Sequence, residues 1–236
     1  MTRASRKFSP PAWATLGLVC ACAAFVSAGF WQLDRGDQKR RLFSAFAASD
    51  TAGPIEALVD EADAERYRYR PFRVTGSYDT GRQFLLDNMM HNGRPGYQVL
   101  TPLLNDGAAV LINRGWLPAD ADRSVLPEIS VEAATRTVTG LLAPLPRPGI
   151  RLETAVPTVD MPWPRRQSFP TIEAIRAQLG YPVPNYQLLL EPEAAGGYVR
   201  DWRPAVMSPE KHLSYAVQWF SFAITLCIIF IIVNWK

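Results

Sequence analysis

The stretch LSYAVQWFSFAITLCIIFIIVNW, from Leu213 to Trp235, contains 23 residues and no charge. A helix needs about 20 apolar residues to cross roughly 30 Å of hydrocarbon, so this stretch is long enough to span a membrane. Its second half consists almost entirely of Ile, Leu and Phe, which favour insertion. Trp235 and Lys236 then provide an aromatic ring and an amine suited to the interface with water. We therefore predict a transmembrane helix at this end of the chain.

A second uncharged stretch lies near the other end, from Phe8 to Leu33, and has 26 residues. It is also long enough to span a membrane. The alternative is a cleaved signal peptide, because three basic residues precede the stretch and Val26-Ser27-Ala28 resembles a cleavage site. The apolar run continues beyond that site through Phe30 and Trp31, which favours a retained helix.

Small residues in this first stretch recur at spacings of four, three and four, which places them on one face of a helix. They are Gly17, Ala21, Ala24 and Ala28. Such a face would let a second helix approach closely. Simple richness in alanine produces the same pattern, so both interpretations stay open.

The charged residues are concentrated in the middle of the chain. All 22 acidic residues lie between Asp34 and Glu210, and all but four of the 25 basic residues lie between Arg35 and Lys211. This middle region is nearly neutral, so the pI of about 8.8 comes from the flanks of the spans and does not indicate nucleic-acid binding. The three cysteines all lie in the apolar ends, and the middle region therefore offers no thiolate metal site. Basic residues flank both ends of the first span, so charge alone does not choose the orientation.

The region between the spans has the pattern of a β-rich domain. The first span is predicted to continue as a helix to about Ala48, and a short helix is predicted around Ile55–Ala62. Alternating and β-branched residues predict strands, two of which flank the hairpin signal Asn105-Asp106-Gly107. The predicted strands are Tyr67–Gly76, Gln83–Met90, Tyr97–Leu103, Ala108–Arg114, Thr135–Leu142, Tyr186–Leu190 and Tyr198–Val206.

A proline-rich stretch interrupts this pattern. Seven prolines between Pro144 and Pro170 predict a loop without regular structure. Thr171–Leu179 then predicts a helix that Thr171 caps and Gly180 ends. The chain is thus predicted to be a membrane protein with two transmembrane α-helices flanking a mostly antiparallel β (α+β) extramembrane domain.

No catalytic motif is evident in the sequence. Its two histidines are His91, in a turn-like loop, and His212. There is no Gly-x-Ser-x-Gly turn, phosphate-binding glycine loop, His-x-x-x-His or Cys-x-x-Cys, and the carboxylates are scattered singly. We therefore expect no catalytic residues and no enzymatic activity.

His212 is the candidate for binding a cofactor, because it stands immediately before the second span. On a helix it shares a face with Tyr215, Trp219 and Phe222. An imidazole at the membrane surface above aromatic rings could ligate a porphyrin iron while the porphyrin rests on the aromatics. The alternative is an ordinary interfacial histidine within an aromatic belt. Gln218 is predicted to form a hydrogen bond to the first helix.

Several segments resemble the surfeit locus protein 1 family, in the same order along nearly the whole chain. The resemblance is weakest in the proline-rich stretch. It is carried by Gly29-Phe30-Trp31-Gln32-Leu33-Asp34-Arg35 with Lys39-Arg40-Arg41-Leu42, by Tyr69-Arg70-Pro71-Phe72-Arg73-Val74-Thr75-Gly76, by Gly96-Tyr97-Gln98-Val99-Leu100-Thr101-Pro102-Leu103, by Val110-Leu111-Ile112-Asn113-Arg114-Gly115-Trp116-Leu117-Pro118, and by His212-Leu213-Ser214-Tyr215-Ala216-Val217-Gln218-Trp219-Phe220.

The resemblance implies an assembly factor for cytochrome c oxidase that binds heme a and helps to place it in oxidase subunit I. Heme A synthase and subunit I are the implied partners, and His212 is the implied ligand of the heme iron, with Tyr215 and Trp219 beside it. Arg114 and Trp116, with Gly115 between them, are interpreted as structural or docking residues. The Arg114 guanidinium could instead lie near a heme propionate. The alternative function is a membrane scaffold that stabilises an oxidase subunit and holds no cofactor.

The resemblance also implies a location in the plasma (inner) membrane, with two spans and the central domain on the outer face. The expected boundaries are a cytoplasmic N-terminus at residues 1–11, a first span at 12–33, a periplasmic-side domain at 34–211, a second span at 212–234 and a cytoplasmic end at 235–236.

Overall fold

The computed structural model describes residues 7–146, 162–168, 170–204 and 206–235, and these form two compact units. The helical unit contains the chain up to Ser44 and again from Pro204, and the β unit is Ala45–Arg203. This arrangement confirms the predicted fold class of two apolar terminal helices flanking a β-rich domain. The proline-rich residues 147–161 lie outside the described residues, so the predicted loop is not tested there.

Helix α1, Ala12–Ala47, and helix α3, Pro209–Asn234, are both long and apolar enough to cross a membrane. The continuation of α1 beyond the predicted span is confirmed, and a 3₁₀ turn at Ala48–Asp50 ends it. Phe8 forms an isolated antiparallel bridge with Trp235. This bridge joins the segment before α1 to the residue that follows α3.

The small-residue face of α1 is only partly covered, since Ala21 and Ala28 are half-buried whereas Gly17 and Ala24 are exposed and no neighbour lies near Gly17. The two fully buried residues of α1 are Gly29 and Gly36. A Cβ at Gly29 would lie 2.6 Å from the Phe220 ring, so the absence of a side chain allows this approach. The positions of α1 that contact α3 recur at spacings of three and four residues, as expected for one face of a helix. They include Cys22, Phe25, Gly29 and Gln32.

The β unit contains a sheet of seven strands among the described residues, in the order β1-β5-β7-β4-β3-β2-β6. These strands are β1 (Pro71–Tyr78), β2 (Phe84–His91), β3 (Arg94–Asn105), β4 (Ala108–Pro118), β5 (Thr135–Ala143), β6 (Arg165–Gln167) and β7 (Gln187–Leu190). Because β1 also pairs with β3, five strands close into a ring, from which β2 and β6 extend. The pairs β2–β6 and β4–β7 are parallel and the others are antiparallel, so the predicted mostly antiparallel sheet is confirmed.

The ring closes where β1 meets the end of β3. Ser77 and Tyr78 pair there with Leu104 and Leu103. A side chain at the preceding Gly76 would overlap the carbonyl oxygen of Leu104, so the crossing requires glycine.

The two largest of the three apolar clusters among the described residues fill most of the unit. One is formed by residues of the ring, among them Phe72, Leu103, Val110, Ile112 and Leu188. The other joins the sheet to helix α2, Ile172–Leu179, through Ile172, Ile175 and Leu179. The α2 boundaries match the prediction, since the Thr171 side chain accepts a hydrogen bond from the amide of Ala174 and Gly180 is left-handed.

Three secondary-structure predictions are wrong. Ile55–Ala62 is not a helix: Ile55 bridges Phe72 of β1, and only Glu61–Asp63 forms a 3₁₀ turn. The described residues of Tyr198–Val206 do not form a strand, because among them only Val199 forms a bridge, with Trp116. Regular structure does occur in the proline-rich stretch, since β6 pairs with β2.

Two strand boundaries differ from the prediction by four residues, the start of β1 and the end of β4. Residues 67–70 are a turn rather than the start of β1, with Tyr69 at a φ of 61°. Strand β4 continues past Arg114 to Pro118, because Gly115 adopts a φ of 110° and the β3–β4 register shifts between Gln98 and Leu100.

Candidate cofactor-binding site

His212 lies in the first turn of α3, and the side of the helix on which it lies packs against α1. Pro209 stands at the start of this helix, where its missing N–H has no cost. His212 is 9% exposed, and its Cβ would be 3.5 Å from a Cβ placed on Gly36. A Cβ on Gly36 would make only an ordinary van der Waals contact there, so His212 packs against α1 without requiring a glycine at this position.

A hydrogen bond between the two helices holds the His212 ring. Its Nδ1 lies 2.8 Å from Oε1 of Gln32 on α1. Its Nε2 is buried and has no hydrogen-bond partner among the described residues. Sequence reasoning did not select Gln32, although a carboxamide inside an uncharged apolar stretch is a signal that it needs a polar partner.

The aromatic neighbours of His212 are arranged differently from the prediction. The Trp219 ring packs against Phe25 of α1 and Phe222, with ring centroids 5.8 and 5.9 Å apart. Tyr215 is 43% exposed and makes no ring contact with this cluster among the described residues. The structure thus joins Trp219 and Phe222 to α1, while Tyr215 faces the surroundings of the helix pair.

The prediction that Gln218 bonds to the first helix is wrong. Gln218 is exposed, and no hydrogen bond is found for it among the described residues. Gln32 and His212 make the cross-helix bond instead. The reason is helical phase, because the seam on α3 follows His212, Ala216 and Ala223 and leaves Gln218 on another side.

The donor chemistry at His212 fits a porphyrin iron. A metal-ligating histidine usually donates its other ring N–H to a nearby oxygen, and Gln32 supplies that oxygen. Access is closed in this structure, however, because Nε2 is buried. A ligand could reach Nε2 only after the packing around the ring opens. No group of three or more His, Cys, Asp or Glu side chains that could hold a metal ion occurs in the described ranges, so His212 would be a single protein ligand.

Arg114, on β4, is only 2% exposed and lies within the β unit. Its guanidinium donates to five carbonyl, amide or hydroxyl oxygens within 3.3 Å: those of Gly196, Gln83, Ile129, Ser130 and Tyr198. Burial lowers the pKa of Arg114, and the adjacent Tyr198 opposes that change. Because these donors are already used internally, the geometry favours the structural role for Arg114 over contact with a propionate.

The segment around Val199 packs against β4 at Gly115 and Trp116. A Cβ at Gly115 would lie 2.7 Å from the Val199 carbonyl oxygen. The Trp116 indole N–H donates to the Met89 carbonyl at 2.7 Å, and its ring lies 5.0 Å from that of His91. Both residues therefore pack inside the β unit.

Comparisons with known proteins find matches to one family along most of the chain. The SURF1 family model matches residues 19–224. Surfeit locus protein 1 of Xenopus tropicalis is 29% identical over 112 residues, which are 40% of this chain and 36% of the Xenopus protein. A SURF1-like protein of Rickettsia felis is 25% identical over 88% of this chain and 90% of its own length. An uncharacterized SURF1-like protein of Mycobacterium bovis is 27% identical over 91% of this chain and 80% of its own length.

The extent of these matches differs between the relatives. The alignments span only 36%, 43% and 45% of the three vertebrate proteins, whereas they span most of the two bacterial ones. The match to the family model includes both His212 and the Asn113–Trp116 segment.

Proposed function

Because this chain belongs to the SURF1 family, we propose that it is an assembly factor for cytochrome c oxidase. In this proposal it receives heme a from heme A synthase and presents it to oxidase subunit I. The two apolar helices hold the protein in the plasma (inner) membrane, and the β unit lies on its outer face. The protein performs no catalysis, so its role is to bind and transfer.

One observation carries the heme-binding part of this proposal. His212 has one ring nitrogen held by Gln32, and the other is buried without a partner. A buried polar atom without a partner costs about 1–3 kcal/mol, so its presence favours a ligand that binds there at some stage. Bound at Nε2, heme a would supply an iron that accepts the nitrogen lone pair.

The first test is an absorbance spectrum of the full chain, purified in detergent from cells that make heme A. We expect a heme band in the parent protein and its loss or shift in His212→Ala. His91→Ala is the matched control, because it removes the other histidine, and it should leave the band unchanged. No heme band in the parent protein would reject the cofactor part of the proposal.

The closed Nε2 favours a second candidate, a scaffold that stabilises an oxidase subunit without a cofactor. Deletion of the gene distinguishes assembly roles from unrelated ones. Both candidates predict loss of oxidase activity on deletion, but only heme delivery predicts that His212→Ala reproduces the loss. Full oxidase activity and heme content after deletion would reject both.

The proposed orientation has its own measurement. A phosphatase that is active only outside the cytoplasm, fused within the exposed loop Asn105-Asp106-Gly107, should be active. The same enzyme fused after Lys236 should be inactive. The reverse pattern would place the β unit in the cytoplasm.

A further inference from the structure

We infer that Gln32 is a positioning residue that keeps the ring proton of His212 on Nδ1 and leaves Nε2 as a free base. The identification of heme iron as the ligand of that base rests on the proposed function. The assignment of the proton to Nδ1 does not, because it follows from the contacts in the helical unit alone.

The contact between Gln32 and His212 determines which ring nitrogen carries the proton. Oε1 of Gln32 can only accept a hydrogen bond, and it lies 2.8 Å from Nδ1 of His212. A neutral imidazole has one N–H and one bare nitrogen. With the proton on Nδ1 both atoms are satisfied, and the bare nitrogen is Nε2.

The opposite arrangement is less favourable. If the Gln32 amide turned over and donated to Nδ1, the ring proton would move to Nε2. That N–H would then be buried with no acceptor among the described residues. Buried N–H groups without an acceptor are rarer in proteins than under-used acceptors, so the proton belongs on Nδ1.

The position of Gln32 on α1 explains why the contact can be specific. Gln32 and Gly36 are one helical turn apart on the same face, and the glycine lies against the His212 side chain. The backbone of α1 thus approaches α3 at Gly36, and the Gln32 side chain reaches the imidazole from the preceding turn.

The proton position determines what chemistry the site accepts. A bare Nε2 binds a Lewis acid or a hydrogen-bond donor and does not bind an acceptor. Loss of an oxygen that orients a metal-ligating histidine typically weakens metal affinity 10- to 100-fold. Gln32→Leu should therefore weaken heme binding by at least about tenfold while His212 itself is intact.

The decisive experiment reads the proton directly in the heme-free protein. The full chain, labelled with ¹⁵N in histidine and purified in detergent, contains only two imidazoles, those of His91 and His212. His212→Ala and His91→Ala assign the signals. We expect Nδ1 of His212 to show the chemical shift of a protonated nitrogen and Nε2 that of a bare one.

Three variants test the role of Gln32. Gln32→Leu should lower the preference for the Nδ1-protonated form by about tenfold, as expected for the loss of one hydrogen bond. Gln32→Glu should retain the preference, because a carboxylate also accepts. Gln38→Leu is the matched control on α1, since Gln38 is exposed and bonds Asp34 rather than His212.

The outcomes separate this inference from the proposed function. An Nδ1 signal that is unchanged in Gln32→Leu, or a protonated Nε2 in the parent protein, overturns the inference. If the signals change as expected but added heme does not bind the parent protein, the heme proposal fails and the role of Gln32 stands. A heme affinity that is equal in the parent and Gln32→Leu, despite a changed proton position, overturns the predicted effect on ligation.

Discussion

The sulfur atoms of Cys22 and Cys227 lie 3.6 Å apart, although 205 positions separate the two residues in the chain. Cys22 is on α1 and Cys227 on α3, and both are half-buried. Cys20 is exposed. The pair therefore reports on how the two helices are paired within the helical unit.

The first prediction is that a mild diffusible oxidant joins these two thiols. Iodine should convert Cys22 and Cys227 to an intramolecular disulfide, with two protons released and iodine reduced to iodide. The count of thiols that react with a maleimide after denaturation should fall from three to one. The Cys20→Ser variant should still lose two thiols on oxidation, because Cys22 and Cys227 are both present. The Cys22→Ser variant should lose none to an intramolecular bond. Three reactive thiols after oxidation of the parent protein would contradict the pairing of the helices.

The second prediction concerns the contact at Gly29. Gly29→Leu should destabilise the helix pair by about 1–3 kcal/mol, because its side chain would overlap the Phe220 ring. The measurement is unfolding of the full chain by SDS titration in mixed micelles. Gly17→Leu makes the same substitution on the same helix where no neighbour lies within 4 Å, and it should be close to neutral. Equal effects of the two variants would show that Gly29 is not at the helix contact.

The third prediction separates backbone conformation from contact at Gly115. Gly93 and Gly115 both have positive φ, but only Gly115 lies against another backbone, at the Val199 oxygen. Gly93→Ala should cost roughly 1–2 kcal/mol for its conformation alone. Gly115→Ala should cost a further 1–3 kcal/mol or so from overpacking. Urea unfolding followed by tryptophan fluorescence measures both, and a cost no larger at Gly115 would argue against the close approach.

The fourth prediction is that the shape of the Arg114 side chain matters as well as its charge. Arg114→Lys should destabilise the β unit by about 3 kcal/mol, since an ammonium cannot reach all the oxygens that the guanidinium satisfies. Far-UV circular dichroism during urea unfolding would measure the change. Arg40→Lys, at an exposed ion pair with Asp37, should change stability by less than about 0.5 kcal/mol. A stable Arg114→Lys variant would return Arg114 to the set of docking residues.

The local character of most elements could be predicted from sequence. Charge-free runs of more than 20 residues predicted α1 and α3, because the cost of placing charge in hydrocarbon is a property of the run itself. The Asn105-Asp106-Gly107 turn predicted the β3–β4 hairpin, and Thr171 with Gly180 predicted the limits of α2. These signals act over a few neighbouring residues, so they can be read without knowing the fold.

Elements that depend on distant partners could not be predicted in this way. Ile55 became a bridge residue because the edge of β1 offered it a partner, and β6 formed because β2 offered a parallel edge. The closing of the ring between β1 and β3 depends on Gly76, whose sequence context shows only a strand glycine. Pairing energy between segments far apart in sequence outweighed local propensity in each case.

The candidate site shows the same division. The sequence by itself determined that His212 precedes an apolar helix and that aromatic residues follow it at helical spacing. Only the tertiary structure decided which nitrogen of His212 is occupied, because Gln32 stands 180 positions away and the phase of α1 against α3 brings it, and not Gln218, to the imidazole. Helical phase follows from where two whole faces pack best, and that depends on many side chains of both helices together.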